Sequence, residues 1–257
     1  MASDMLKGGW IVRSIRWLLA PAVFALGMTV APAGWATVIY GNFSGTSIDF
    51  LGVRETTTSP GDPEPLFGAP TVSGDQLLFF PTAFASTSAG GGADITSSQM
   101  QMFIDAKPLA TIDKISITEF GEKDLAGVGT AATSASVSAV VDITVLEVNN
   151  IPVSPIFIAG NVMTFTPDDD YALPGDLGFS TWTGSLLIDI ESVVDNVTRL
   201  QLTFKNILDT TSETGTTAFI QKDVVSGPAV VVEVIPEPGT AILLGLGLAA
   251  LAVRRRA

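Results

Sequence analysis

Carboxylates carry whatever chemistry this sequence could perform. Asp168, Asp169 and Asp170 follow Pro167 in a turn-rich stretch, and adjacent carboxylates are hard oxygen donors of the kind that hold calcium weakly outside cells. Their spacing is not that of a helix–loop–helix calcium loop, which needs alternating acidic positions, a glycine and a glutamate at the twelfth position. A solvated acidic turn is therefore the competing reading, and calcium is the sole cofactor the residues suggest. A second set, Glu119, Glu122, Asp124, Glu147, Asp189 and Glu191, could supply the paired carboxyls of a glycosidase. Such a pair must stand about 5–9.5 Å apart across a cleft, and nothing in the spacing singles one out. Sugar sites also want aromatic platforms, and beyond residue 36 the chain offers one tryptophan, Trp182, and two tyrosines, Tyr40 and Tyr171, while most phenylalanines fit a core. There is no histidine and no cysteine, which removes Ser-His-Asp and Cys-His catalysis and His- or Cys-based zinc sites. Gly90-Gly91-Gly92-Ala93-Asp94 is not followed by Lys-Ser or Lys-Thr, so it reads as a flexible loop and not as a phosphate cradle. The expectation is a protein that is not an enzyme.

The elements that would position these groups are strands. Val137, Ala139, Val141, Ile143 and Val145 alternate with mostly polar neighbours. So do Leu186, Ile188 and Ile190; Leu200, Leu202 and Phe204; and Val230, Val232 and Val234. Shorter runs of the same period lie at 38–43, 76–80, 101–106 and 112–118. One apolar and one polar face per strand is the mark of antiparallel sheets packed face to face. Turn residues such as Pro60-Gly61-Asp62-Pro63, Asn149-Asn150 and Pro174-Gly175-Asp176 punctuate the runs, and no stretch between 37 and 233 keeps helical spacing. The fold class is all-β, an antiparallel β-sandwich or jelly roll, with an up-and-down barrel as the alternative. Trp182 discriminates between uses of that fold. Exposed in a groove beside acidic groups, it would support carbohydrate binding; buried, with no pocket, it would support a structural role.

Both ends differ from this body. Lys7, Arg13 and Arg16 precede an apolar run from Trp17 to Val30, and Ala31-Pro32-Ala33-Gly34-Trp35-Ala36 supplies small residues. That is the three-part layout of a secretory signal peptide, residues 1–36, to be removed by signal peptidase. The body, residues 37–233, then stands on its core without cross-links from cysteine. The whole chain carries 13 basic against 26 acidic residues, and six of the basic ones lie in the two ends, so the body is more acidic still. Nucleic acid is excluded as a partner on charge. At the other end, Pro236-Glu237-Pro238 fixes two backbone angles and denies two donors, which favours an extended segment. Gly239 to Val253 is an uncharged run that spans about 22 Å as a helix, short of a hydrocarbon core of about 30 Å. Arg254, Arg255 and Arg256 follow and would snorkel, marking the cytoplasmic side as a membrane stop.

Those three parts in that order, over residues 234–257, resemble the PEP-CTERM sorting signal of Gram-negative bacteria. The resemblance implies a substrate of exosortase, a membrane-embedded cysteine transpeptidase-like enzyme, with the tail removed near the motif. Pro236, Glu237 and Pro238 would be substrate and not catalyst. It also implies an exported protein, anchored by its C-terminal helix before processing and then at the cell surface or released. Because the signal is associated with bacteria that make exopolysaccharide, it implies a structural or interaction role in the envelope or matrix. A carbohydrate-binding module, calcium-dependent or not, is the alternative, and a carboxylate-pair glycosidase the third. The chain contains its own control: Pro63-Glu64-Pro65 repeats the tripeptide but is followed by Leu66-Phe67-Gly68-Ala69-Pro70, with neither the apolar run nor the arginines.

Overall fold

A computed structural model of the protein describes residues 37–223 and 227–236. The expected signal peptide, Glu237, Pro238, the apolar run and Arg254 to Arg256 lie outside the described residues.

Alternation along the chain becomes two antiparallel sheets. The seven-stranded sheet runs in the order β1 (Thr37–Ser44), β2 (Ile48–Thr57), β6 (Ala93–Ala106), β13 (Val197–Thr211), β8 (Ser134–Val148), β11 (Asp170–Ala172), with β9 (Ile151–Val162) also on β8. The eight-stranded sheet runs β10 (Thr164–Thr166), β12 (Gly178–Asp189), β7 (Ile112–Ala126), β15 (Val230–Pro236), β4 (Gln76–Phe79), β3 (Thr71–Ser73). In this sheet β14 (Thr217–Gln221) joins β7 to β5 (Ala85–Ala89). The strand β7 is long enough to take two partners in tandem along one side, β15 over residues 112–119 and β14 over 122–126. Most connections from β5 onward pass from one sheet to the other, so strands next to each other in a sheet are mostly distant in sequence. That is a sandwich and not an up-and-down barrel, in which consecutive strands would pair.

The period-two residues fill the space between the sheets. Val137, Ala139, Val141, Ile143 and Val145 of β8, Leu200, Leu202, Phe204 and Leu208 of β13, and Ile115, Ile117 and Leu125 of β7 all belong to one buried cluster. Each large apolar side chain taken fully out of water contributes roughly 1.5–3 kcal/mol, so a cluster of this extent can hold a sandwich without cross-links. Phe67, Phe79 and Phe84 meet edge-on, with centroids 5.8 and 5.0 Å apart. Hydroxyl contacts also cross the gap, as between Ser86 of β5 and Thr210 of β13 at 3.0 Å. The strand β9 is exposed along most of its length and carries Pro152 and Pro155, which lack donors and so blunt an open edge.

One boundary moves. The inward alternation of Val230 and Val232 continues through buried Val234, and β15 ends on Pro236 opposite Ile112 of β7. The core therefore reaches Val234 and the strand Pro236, within the stretch assigned to the sorting signal. Proline is tolerated there because it is the strand's last residue.

Candidate functional site

Pro236, the last described residue of β15, is half-buried, with a register shift between it and Ile235. On one side β15 is paired with β7 along its whole length; on the other, pairing with β4 stops at Glu233. Beyond it, the Val234 N–H donates to the Asp75 carbonyl at 3.0 Å. Residues 73–76 and 233–236 line an open depression of about 380 Å³ beside the exit. The turn holding Asp75 is itself locked to the opposite sheet. Asp75 Oδ1 accepts from the backbone N–H of Ser47 (2.7 Å) and Ile48 (3.3 Å), and the Thr46 N–H donates to the Gly74 carbonyl at 3.2 Å. Gly45 has to be glycine: a Cβ there would stand 2.7 Å from both Asp75 Oδ1 and the Gly74 carbonyl. Two turns of different sheets thus interlock where the sorting segment begins.

The internal copy of the tripeptide sits in a different setting. Pro63, Glu64 and Pro65 are exposed, but Leu66 and Phe67 behind them are fully buried. Their N–H groups donate to buried Glu55, at 2.8 Å from Leu66 and 3.0 Å from Phe67. Ser98 Oγ (2.9 Å) and the Tyr40 hydroxyl (2.6 Å) donate to the same carboxylate. Burial, and then the bond to Glu55, push the Tyr40 phenol well above its ordinary pKa. A single carboxylate therefore fixes the loop that follows the second tripeptide, and chain continues into the fold where an apolar run would have to begin.

The acidic candidates are scattered. Asp168 and Asp169 lie in the turn before β11, and Asp170, expected in a loop, opens that strand opposite Ser136. All three are exposed; Asp168 Oδ1 accepts the Asp169 N–H at 2.9 Å, and the Asp169 carbonyl accepts the Val137 N–H. Among the described residues no three acidic side chains converge to hold a metal ion. On β7, Glu119 faces the core while Glu122 faces outward and accepts from Gln221 Nε2 at 2.6 Å, so the sheet separates them. Asp124 is exposed, Glu147 lies 3.8 Å from Arg199, and Asp189 pairs with Lys114 at 3.2 Å. Glu191 follows β12, where its N–H donates to the Asp113 carbonyl. Trp182 is 1% exposed and lies edge-on to Phe165, so it presents no face to a sugar. A depression does exist at the exit, but no aromatic residue lines it.

Sequence reasoning missed a polar cluster inside the sandwich. Glu119 of β7, Asn206 of β13 and Lys222 just after β14 are all buried. Lys222 Nζ makes an ion pair with Glu119 Oε2 and stands 5.2 Å from the Trp182 ring centroid and 5.4 Å from that of Phe84. Asn206 lies against the Glu119 carboxyl closely enough to lower its pKa, yet neither polar atom of its carboxamide has a hydrogen bond of good geometry, and Glu119 Oε1 has none. Burial pushes the Glu119 carboxyl up, with Lys222 acting against it; burial pushes the Lys222 amine down, with Glu119 acting against it. Each polar residue falls in phase with the apolar residues of its own segment: Ile115, Ile117, Glu119; Phe204, Asn206, Leu208; Ala218, Ile220, Lys222. That phase was the available signal.

A family model described as the PEP-CTERM protein-sorting motif matches residues 234–256, from Val234 of β15 through the arginines. No curated protein matches the chain. Among solved structures it is similar to the enzymatically active domain of bacteriophage CBA120 tailspike protein 4, at 12% identity and a TM-score of 0.21, over 79% of this chain and 20% of that one. It is similar also to a structure of the infectious bursal disease virus Gx strain, at 14% identity and a TM-score of 0.17, over 74% of this chain and 53% of that one. The chain spans a fifth of the first and about half of the second, and TM-scores this low carry no argument about function. Among the described residues no helix is long and apolar enough to cross a membrane.

Proposed function

We propose that the chain is an exported protein of the cell envelope or extracellular matrix, sorted and processed by exosortase at its C-terminal signal, and that the sandwich serves a structural or interaction role beside exopolysaccharide. The observation that carries this reading is the sorting-motif match over 234–256 in direct continuation of β15. The last core strand ends on Pro236 opposite Ile112 of β7, beside the Asp75 turn that is bonded to the opposite sheet, which supports a fixed starting point for the sorting segment. Buried Trp182 supports a structural role over sugar stacking. Signal peptidase would act at the N-terminal side and the membrane would hold the C-terminal run until processing.

Replacement of Pro236, Glu237 and Pro238 by alanines tests this. It removes two φ constraints and a carboxylate, and lets a helix propagate outward from the apolar run. In a host containing exosortase, export persists while C-terminal processing stops, and the intact mass retains the tail. The same replacement at exposed Pro63, Glu64 and Pro65 leaves processing intact. Normal tail loss in the C-terminal variant would refute the sorting assignment.

A further inference from the structure

We propose that Lys222 and Asn206 become joined by an intramolecular isopeptide bond, with Glu119 carrying the proton between them. The two side chains meet at one buried carboxyl. Lys222 Nζ is held on Glu119 Oε2, while the Asn206 carboxamide abuts the same carboxyl and Glu119 Oε1 has no hydrogen-bond partner. An ion pair built only for stability would leave no reason for a buried carboxamide beside it with both polar atoms unsatisfied, since each such atom costs free energy.

The surroundings suit the reaction. An amine attacks only when neutral, and burial drives Lys222 towards the neutral form and Glu119 towards the protonated one. The Lys222 Nζ lone pair forms a bond to Asn206 Cγ, and the Cγ–Oδ1 π pair moves onto oxygen, which takes the proton of the protonated Glu119. The Glu119 carboxylate so formed accepts the proton released by Nζ and delivers it to Nδ2. The Cγ–Nδ2 bond then breaks with its electron pair, ammonia leaves, the carbonyl re-forms, and the Oδ1 proton returns to Glu119. The sum is amine plus carboxamide giving a secondary amide plus ammonia, with no oxidant or other reactant. Trp182 and Phe84 wall the amine, all three reacting residues are buried, and water that would hydrolyse the intermediate is kept out. The fold holds both groups against one carboxyl, which replaces a bimolecular encounter by an intramolecular one. The product ties β13 of one sheet to the end of β14 in the other, a cross-link in a chain without cysteine.

The sequence provides a direct assay. Trypsin cuts after Lys205 and, in an unmodified chain, after Lys222, with no basic residue between; Glu213 lies inside that interval. In the purified full chain, denatured before digestion, we expect no cleavage after Lys222 and a peptide lighter than its sequence by one ammonia. Glutamyl endopeptidase cleavage at Glu213 should leave two pieces still joined through Asn206 and Lys222. Cleavage after Lys222 with full mass overturns the proposal. Ammonia loss with separable pieces after Glu213 cleavage also overturns it, because Asn206 would then have cyclised onto its own backbone. Glu119→Gln keeps the shape of the side chain but removes the proton carrier, and should slow bond formation by about 10²–10⁴-fold. Should that variant misfold, Asn206→Asp remains: it should give a product of unchanged mass by losing water in place of ammonia. Complete cross-linking in folded Glu119→Gln overturns the role given to Glu119.

Discussion

Glu55→Ala is the most informative perturbation of the sandwich, because one side chain organises a whole loop. The carboxylate is 1% exposed and receives the N–H groups of Leu66 and Phe67, the Ser98 hydroxyl and the Tyr40 phenol. Removing it leaves two buried backbone donors without partners, each worth about 1–3 kcal/mol. Ser98 Oγ can fall back on the Thr56 carbonyl, 3.3 Å away, and half-buried Tyr40 can reach water, so these two add little. The expected loss is about 3–5 kcal/mol, a large share of the roughly 5–15 kcal/mol that holds a domain folded. Glu55→Gln keeps one oxygen on the side facing Leu66 and Ser98 and surrenders only charge assistance, about 1–2 kcal/mol. Tyr40→Phe removes one donor and should cost about 1 kcal/mol. Equilibrium urea unfolding of the three variants, with m-values compared, reads these numbers directly. A Glu55→Ala loss under about 1 kcal/mol at unchanged m, or a Gln variant as damaged as the Ala one, would refute the claim that this carboxylate fixes the loop.

Two further substitutions probe packing and charge. A methyl group at Gly121 would stand 2.2 Å from both the Gln221 carbonyl and Trp182 Cζ2, so Gly121→Ala should destabilise by the upper end of about 1–3 kcal/mol; wild-type thermal stability would disprove it. Asp209 has its pKa raised by burial and then by the Asp94 charge, so the folded state binds that proton more tightly than the unfolded chain and loses stability as pH rises from the ordinary aspartate value through the folded one. Asp209→Asn should therefore be more stable than wild type at pH 7, with the gain vanishing below the ordinary value of 3.8; pH-dependent unfolding midpoints check it, and no gain at pH 7 would contradict it.

The strands were legible because burial writes itself in period two. Val137 to Val145 and Val230 to Val234 lie where their alternation places them, inward on β8 and β15. Pairing was not legible: β13 sits between β6 and β8, and β7 touches β12, β14 and β15, through contacts that no local pattern encodes. Three-residue strands such as β10 and β11 are too short to show a period. The sorting segment was legible as chemistry in a line, whereas the interior cluster was hidden by residue type. Glu119, Asn206 and Lys222 look like surface residues, and only their phase relative to Ile117, Phe204 and Ile220 shows that they point inward.

The position of β15 has a mechanical consequence. The strand ends on Pro236 and lies between β7 and, up to Glu233, β4, and not at an open edge. Antiparallel hydrogen bonds run across the strand direction. Tension drawn through Pro236 therefore bears on many bonds at once in shear, and does not peel them apart one after another. A body held through this strand would resist pulling first by its ladder with β7, which reaches Pro236, and from Glu233 inward by the ladder with β4 as well.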